Sequence, residues 1–221
     1  MPTNSSLPLT AAQVTALQDR LLSGPGWPHT EPASTAVDAT ELGRWLAANH
    51  RNNSCLWAEE DLARRTTVPA AEIAANKRAI DGYNQLRNDA TERIDELLLL
   101  ALKLVDVASA RSDAPAAQVP PGARLNSETA GSMVDRLSIL ALKVRAMQFQ
   151  ADRLDVDEQH RQASRGKLLR LQQQRADLAG CFDALLADAA AGRAYFKVYR
   201  QFKMYNDPRL NPQLVRELRA S

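Results

Sequence analysis

Apolar residues recur along most of this chain at alternating steps of three and four, the period of one helix face. The first such pattern covers residues 11–22, with Val14, Leu17, Leu21 and Leu22 on one side and Thr10 placed to cap it. Ser23-Gly24-Pro25-Gly26-Trp27-Pro28 stops it, and an irregular stretch runs to about Val37. A second helix is expected from Asp38 or Thr40, carrying Leu42, Trp45, Leu46, Leu56 and Trp57. Within it, Asn49 to Ser54 are poor helix formers, which predicts a kink. Val68-Pro69 closes that segment, because a residue before proline avoids the helical region.

The longest pattern runs from residue 70 to about 110, with no proline and only Gly82 as glycine. Ile73, Ile80, Ile94, Ala101 and Ala108, interleaved with Tyr83, Ala90, Leu97 and Leu104, form a coiled-coil-like seam of about five heptads. A seam of that length needs a long partner helix and allows for a homodimer. Residues 112–126, with Pro115, Pro120, Pro121 and Gly122, read as a linker without regular structure. A fourth helix opens at Ser127, read as its N-cap with Glu128 behind it, and has Met133, Leu137, Leu140, Val144 and Met147 on its core face. After a charge-dense break at 152–157, a fifth runs over about 158–190 with Leu168, Leu171, Leu178, Phe182 and Leu185, and Gly192 ends it. The expected fold is all-α: an elongated antiparallel helical bundle of long coiled-coil-like helices with a C-terminal closing segment. It divides into an N-terminal helix and Pro/Gly-rich loop (1–37), the bundle (38–192) and a basic aromatic segment (193–221).

Composition agrees with a helical globular chain: 45% hydrophobic, 24% charged, 5% aromatic, with a net charge of +2. The charge is uneven. Residues 193–219 hold seven basic residues (Arg193, Lys197, Arg200, Lys203, Arg209, Arg216, Arg219) against Asp207 and Glu217, a net of +5 that leaves −3 for the rest. Tyr195, Phe196, Tyr199, Phe202 and Tyr205 are interleaved with them. Such a segment can bind nucleic acid, or it can pack on an acidic bundle with its basic stems over apolar surface. The acidic remainder favours packing and disfavours nucleic acid as the partner. The first residues show no basic and apolar leader, and the most apolar run, 97–105, is far short of the ~20 residues a membrane span needs. No membrane span and a cytoplasmic location are therefore expected. Cys55 and Cys181 form no CxxC pair and read as ordinary thiols.

Two features carry candidate chemistry. Arg87 interrupts the long seam, and Lys77, Asp81, Asn84, Asn88, Thr91 and Asp95 recur beside it. One reading is a solvated face laced with ion pairs. The other starts from the residue types: short Asn, Asp and Thr are weak helix formers, and next to an apolar seam they suit a partly buried groove for a polar ligand. Asp135 and Arg136 on the fourth helix are placed to face that stripe. The second feature is the start of the fourth helix, where free amides near Thr129 and Gly131 can either be capped or bind an anion.

Three blocks taken together resemble a known family. They are residues 56–61 leading to 75–89 (Asn76-Lys77-Arg78-Ala79-Ile80-Asp81-Gly82-Tyr83-Asn84), 125–140 (Asn126-Ser127-Glu128-Thr129-Ala130-Gly131) and 203–211 (Tyr205-Asn206-Asp207-Pro208-Arg209). Over roughly residues 40–212 the chain is similar to the bacterial domain of unknown function 4254, departing at Ala130, where the resemblance implies a proline. Members of that family are often encoded near lipopolysaccharide heptosyltransferases. The resemblance thus implies a helical fold and a link to cell-surface glycan assembly, and it assigns no reaction. The expected function is a cytoplasmic binding or accessory protein with an anionic small molecule or glycan precursor in a groove formed by Lys77, Asp81, Asn84, Arg87, Asn88, Asp135 and Arg136. One alternative is a metal-dependent all-α nucleotide pyrophosphohydrolase holding Mg²⁺ through Glu59, Glu60, Glu92 and Asp95. Glu92 and Asp95 have the required i, i+3 spacing, but no Glu-x-x-Glu precedes them. The other alternative is nucleic-acid binding through the basic segment.

Overall fold

A computed structural model of the chain describes residues 7–30, 39–201 and 207–220. The absence of a leader, the loop through Pro32, the helix start at Asp38, and the placement of Phe202, Lys203 and Tyr205 fall outside the described residues. The described chain is all-α. Its helices are α1 (Ala11–Ser23), α2 (Glu41–Leu62), α3 (Ala70–Ala101), α4 (Val107–Ala110), α5 (Ala130–Asp152), α6 (Glu158–Ala190) and α7 (Pro212–Ala220). The two-residue strands β1 (Arg124–Leu125) and β2 (Ala194–Tyr195) pair in parallel.

Short polar side chains set most helix starts by accepting a first-turn amide. Thr10 forms a full capping box with Gln13. Thr40, Asp106 and Asp157 cap α2, α4 and α6. For α5 the cap is Thr129, whose hydroxyl accepts from the Ser132 amide at 3.1 Å, so the helix begins at Ala130 and the Ser127 cap expected from sequence is displaced by two residues.

The helices pack as two antiparallel hairpins and a bracing helix. In the first hairpin Glu41 of α2 meets Arg93 of α3 at one end, and Glu59 meets Asn76 at the other. The α5–α6 hairpin packs against it so that α5 runs antiparallel to α3 (Asp95 with Gly131, Arg87 with Asp135) and parallel to α2 (Asn49 with Asp135, His50 with Ser138). Across the back lies α1, with Ala11 bonded to Asp183 and Asp19 to Arg175 of α6. Val14, Ile94, Leu98, Val134, Leu137, Phe182 and Leu186 are fully enclosed between these layers.

Four expectations are corrected. The third helix stops at Ala101 rather than near 110: α2 begins at Glu41, opposite Arg93, so beyond the next two turns no helix faces the seam. The chain turns through Lys103 (φ 59°) and folds Leu104, Val105 and Ala110 over the core end. The kink expected at Asn49 to Ser54 is absent, and α2 is continuous. The second helix ends at Leu62, well before Val68. Finally, the linker contributes β1, whose Arg124 amide donates to Arg193 O at 2.8 Å. From β2 to residue 199 the chain alternates: Ala194, Phe196 and Val198 are buried and Tyr199 is exposed. Arg200 then reaches Glu96 at 2.6 Å and Glu92 at 3.0 Å, which ties the positive segment to the acidic end of α3.

Candidate functional site

The three-four step of α2 passes through Leu42, Leu46, Asn49, Asn53 and Leu56, so two asparagines occupy core positions. Both are buried, as is the adjacent His50. A helix that buries amides needs partners for them, and α5 supplies Asp135 and Ser138, one turn apart. Asp135 Oδ1 accepts from Asn49 Nδ2 and Asn53 Nδ2, each at 2.9 Å, and Asn53 Nδ2 also reaches Ser138 Oγ at 3.0 Å. Asn49 Nδ2 further donates to Thr91 Oγ1 at 3.2 Å, which joins α3 to the network. Charge-assisted bonds of this kind contribute about 1.5–3 kcal/mol each. They explain why weak helix formers run unbroken here.

Arg87 of α3 lies over the same carboxylate, its Nε 3.7 Å from Asp135 Oδ1. That Nε is buried and finds no hydrogen-bond partner. The rest of the side chain is partly exposed and lines an open groove of about 300 Å³ between α2, α3 and α5. Asn53, Trp57, Glu60 and Asp61 form one wall, Asn84 and Arg87 the second, and Ile139 and Leu142 the third, with Arg64 at the end of α2. An aromatic ring, two amides and both signs of charge thus face one cleft over a floor held by Asp135.

One turn further along, α3 and α5 touch backbone to backbone. A Cβ on Gly131 would stand 2.5 Å from the Thr91 carbonyl oxygen and 2.9 Å from the Asp95 carboxyl, so this approach requires glycine. The Gly131 amide donates to Asp95 Oδ1 at 2.6 Å. Asp95 is enclosed, and burial pushes its carboxyl up to about 7 against the opposing pull of the Thr129 hydroxyl and the Gly131 amide.

On the far side of the network, His50 stacks on Trp27 with centroids 5.7 Å apart and bonds Ser138 Oγ through Nδ1 at 2.7 Å. Burial, together with the Arg175 charge, holds its imidazole down at about 3. A serine and histidine at this distance have nucleophile–base geometry. Both are fully enclosed, however, and so weak a base takes no proton near neutrality. The pair therefore joins helices. Trp27 Nε1 donates to Ser54 Oγ at 3.0 Å and completes the same face of α2.

The residues expected from sequence separate into groups. Asn84, Arg87 and Asp135 meet at the groove, and Asn88 sits half-buried beside it. Lys77 and Asp81 pair with each other at 2.5 Å on the exposed face of α3. Arg136 points the other way, pairs with Glu128 at 2.5 Å and lines a separate groove between α5 and α6. The four carboxylates considered for Mg²⁺ do not converge. Glu59 accepts from Asn76, whereas Glu92 lies sixteen residues further along α3, about 24 Å at 1.5 Å per residue. Glu60 pairs with Arg64, Glu92 with Arg200, and Asp95 accepts from Gly131. Among the described residues no group of three or more His, Cys, Asp or Glu is placed to hold a metal ion. At the start of α5 the amides of Gly131 and Ser132 are taken by Asp95 and Thr129, so these two amides are capped from within.

Sequence reasoning missed Asn49, His50, Asn53 and Ser138. A signal for two of them exists: the apolar step of α2 continues through Asn49 and Asn53, which marks them as core positions. No helix among the described residues is long and apolar enough to cross a membrane. A family model described as "Protein of unknown function (DUF4254)" matches residues 43–198, a span that holds the whole groove and its floor. No curated protein and no solved structure matches the chain.

Proposed function

We propose, for a chain that belongs to the DUF4254 family of proteins of unknown function, that the groove between α2, α3 and α5 binds a sugar-bearing or anionic small molecule. The protein then serves as a binding or accessory component of cell-surface glycan (lipopolysaccharide) assembly. The observation that carries this reading is Arg87. Its guanidinium is backed by Asp135, which Asn49 and Asn53 hold in place, and it opens on a cleft that also presents Trp57 and Asn84. A carboxylate behind an arginine fixes the fork, so that it can donate two bonds to an oxyanion or a pair of hydroxyls. A flat indole suits the C–H face of a sugar ring, and Asn, Asp and Glu suit its hydroxyls. The near balance of Arg64 and Arg87 against Glu60 and Asp61 supports a polyhydroxylated ligand of low net charge rather than a polyanion.

The test is a titration of intrinsic tryptophan fluorescence with sugar phosphates, nucleotide-diphosphate sugars and free nucleotides. Saturable binding by the sugar-bearing compounds is expected. It should be lost in Arg87→Ala, its fluorescence signal should be lost in Trp57→Phe, and Lys77→Ala should leave both intact. Binding that survives Arg87→Ala, or a panel with no binder by fluorescence or thermal shift, overturns this assignment.

A further inference from the structure

The groove that holds Arg87 has an aromatic neighbour. A second open cleft, about 440 Å³, lies between the end of α1, the turn at Trp27 and Pro28, α2 and α5. Trp57, Asp61 and Leu142 line both clefts, so the two are continuous along one side of α2. Trp57 and Asp61 are one turn apart on that helix, and Leu142, Ala146 and Phe149 follow a single face of α5 opposite them.

Three rings line the second cleft: Trp27, Trp57 and Phe149. Phe149 is 68% exposed, so its ring adds little to the core. Trp27 is held in place, because its Nε1 donates to Ser54 Oγ at 3.0 Å and its ring stacks on His50. The enclosed His50–Ser138 pair thus sets the angle at which an indole meets the cleft. Rings fixed before binding order less on taking up a flat partner, and aromatic rings stack on flat bases of any sequence. Asp61 and Gln150 stand among the rings and suit the polar edge of a base, which a hydrocarbon chain would not use. Asp61 also lies on the boundary, where a carboxylate accepts from the two hydroxyls of a ribose.

We infer that the ligand of the Arg87 groove is a nucleotide sugar whose base stacks among Trp27, Trp57 and Phe149. The order of groups along the two clefts matches the order of groups in such a molecule. The base lies in the aromatic cleft, the ribose passes Asp61, and the linking phosphate and the sugar lie beside Arg87 and Asn84. One or two linking phosphates carry one charge each, which suits a single backed arginine fork. This inference rests on the groove reading above and specifies its ligand class.

The experiment is isothermal titration calorimetry on the full chain with UDP-glucose, ADP-glucose and GDP-mannose. Each is compared with its free sugar 1-phosphate and its free nucleoside, and octyl glucoside serves as the hydrocarbon control. At least one nucleotide sugar should bind about tenfold or more tighter than its sugar 1-phosphate. Phe149→Ala, at an exposed position that leaves the fold intact by circular dichroism, should remove that advantage and leave sugar 1-phosphate binding unchanged. Arg87→Ala should weaken both compounds. Sugar 1-phosphates that bind through Arg87 as tightly as every nucleotide sugar overturn this inference and leave the groove reading standing. So does octyl glucoside binding tighter than every nucleotide sugar, or a Phe149→Ala chain that keeps the full advantage. Nucleosides that bind as tightly as the nucleotide sugars and ignore Arg87→Ala support the aromatic cleft and overturn the groove reading instead. No binding by any compound overturns both.

Discussion

Asp95 and His50 pull stability in opposite directions with pH. Burial raises the Asp95 carboxyl from 3.8 to about 7, so the folded protein keeps a proton that the unfolded chain releases above pH 3.8. The stability that this contributes is complete below about pH 3.8 and is lost as pH rises through about 7. His50 does the reverse. Burial holds it at about 3 instead of 6.5, so the unfolded chain takes up a proton that the folded protein refuses. Its contribution is complete above about pH 6.5 and is lost as pH falls toward 3. Each group is worth about 1.4 kcal/mol per pH unit, and between pH 4 and 6.5 the two slopes cancel. Asp95→Asn removes one of them and keeps a carbonyl oxygen for the Gly131 amide. The stability of this variant relative to the parent should therefore climb by about 1.4 kcal/mol per unit from pH 4, and by about 4 kcal/mol in all by pH 8. Urea unfolding followed by circular dichroism at each pH measures that difference. A difference that stays constant from pH 4 to pH 8 refutes the reasoning and makes Asp95 an ordinary ionised partner of the α5 N-terminus.

Three further outcomes test the packing. Asp135→Ala strands two buried amides and the Arg87 guanidinium, and should cost about 3–5 kcal/mol by urea unfolding, while Lys77→Ala, which breaks only an exposed pair, should cost under about 0.5 kcal/mol. In Gly131→Ala the new methyl meets the Thr91 carbonyl, so α3 and α5 must part; a loss of about 1–3 kcal/mol and faster amide exchange around Thr91 and Gly131 are expected. Arg200→Ala leaves Glu92 and Glu96 without their shared cation and unties the C-terminal segment, so trypsin should cut at Lys197 sooner than in the parent.

The candidate cleft is partly legible in the amino-acid pattern. Arg87 stands out because a charge at a seam position breaks an otherwise apolar rhythm, Asn84 because it recurs in the polar stripe beside that seam, and Asp135 because it is placed to face the stripe. Lys77 and Asp81 follow the same spacing yet face water together, because residues four apart on an exposed turn neutralise each other whatever else the helix packs against. Asn49 and Asn53 mislead for the opposite reason. Intrinsic propensity argues for a kink, whereas the acceptor that rescues them, Asp135, lies more than eighty residues away.

What the sequence determined by itself is what depends on neighbours within about one helical turn. Thr10 and the proline and glycine breaks mark helix ends, and the three-four step of apolar residues marks which face is buried. Tertiary structure decided everything that needed a second helix. It stopped α3 at Ala101 where its partner ends and spent the first-turn amide of Gly131 on Asp95. The physical reason is range. Caps and periodicity act through contacts a few residues apart, while the meeting of α2, α3 and α5 over one carboxylate is set by how whole faces pack, and no local pattern records which faces will meet.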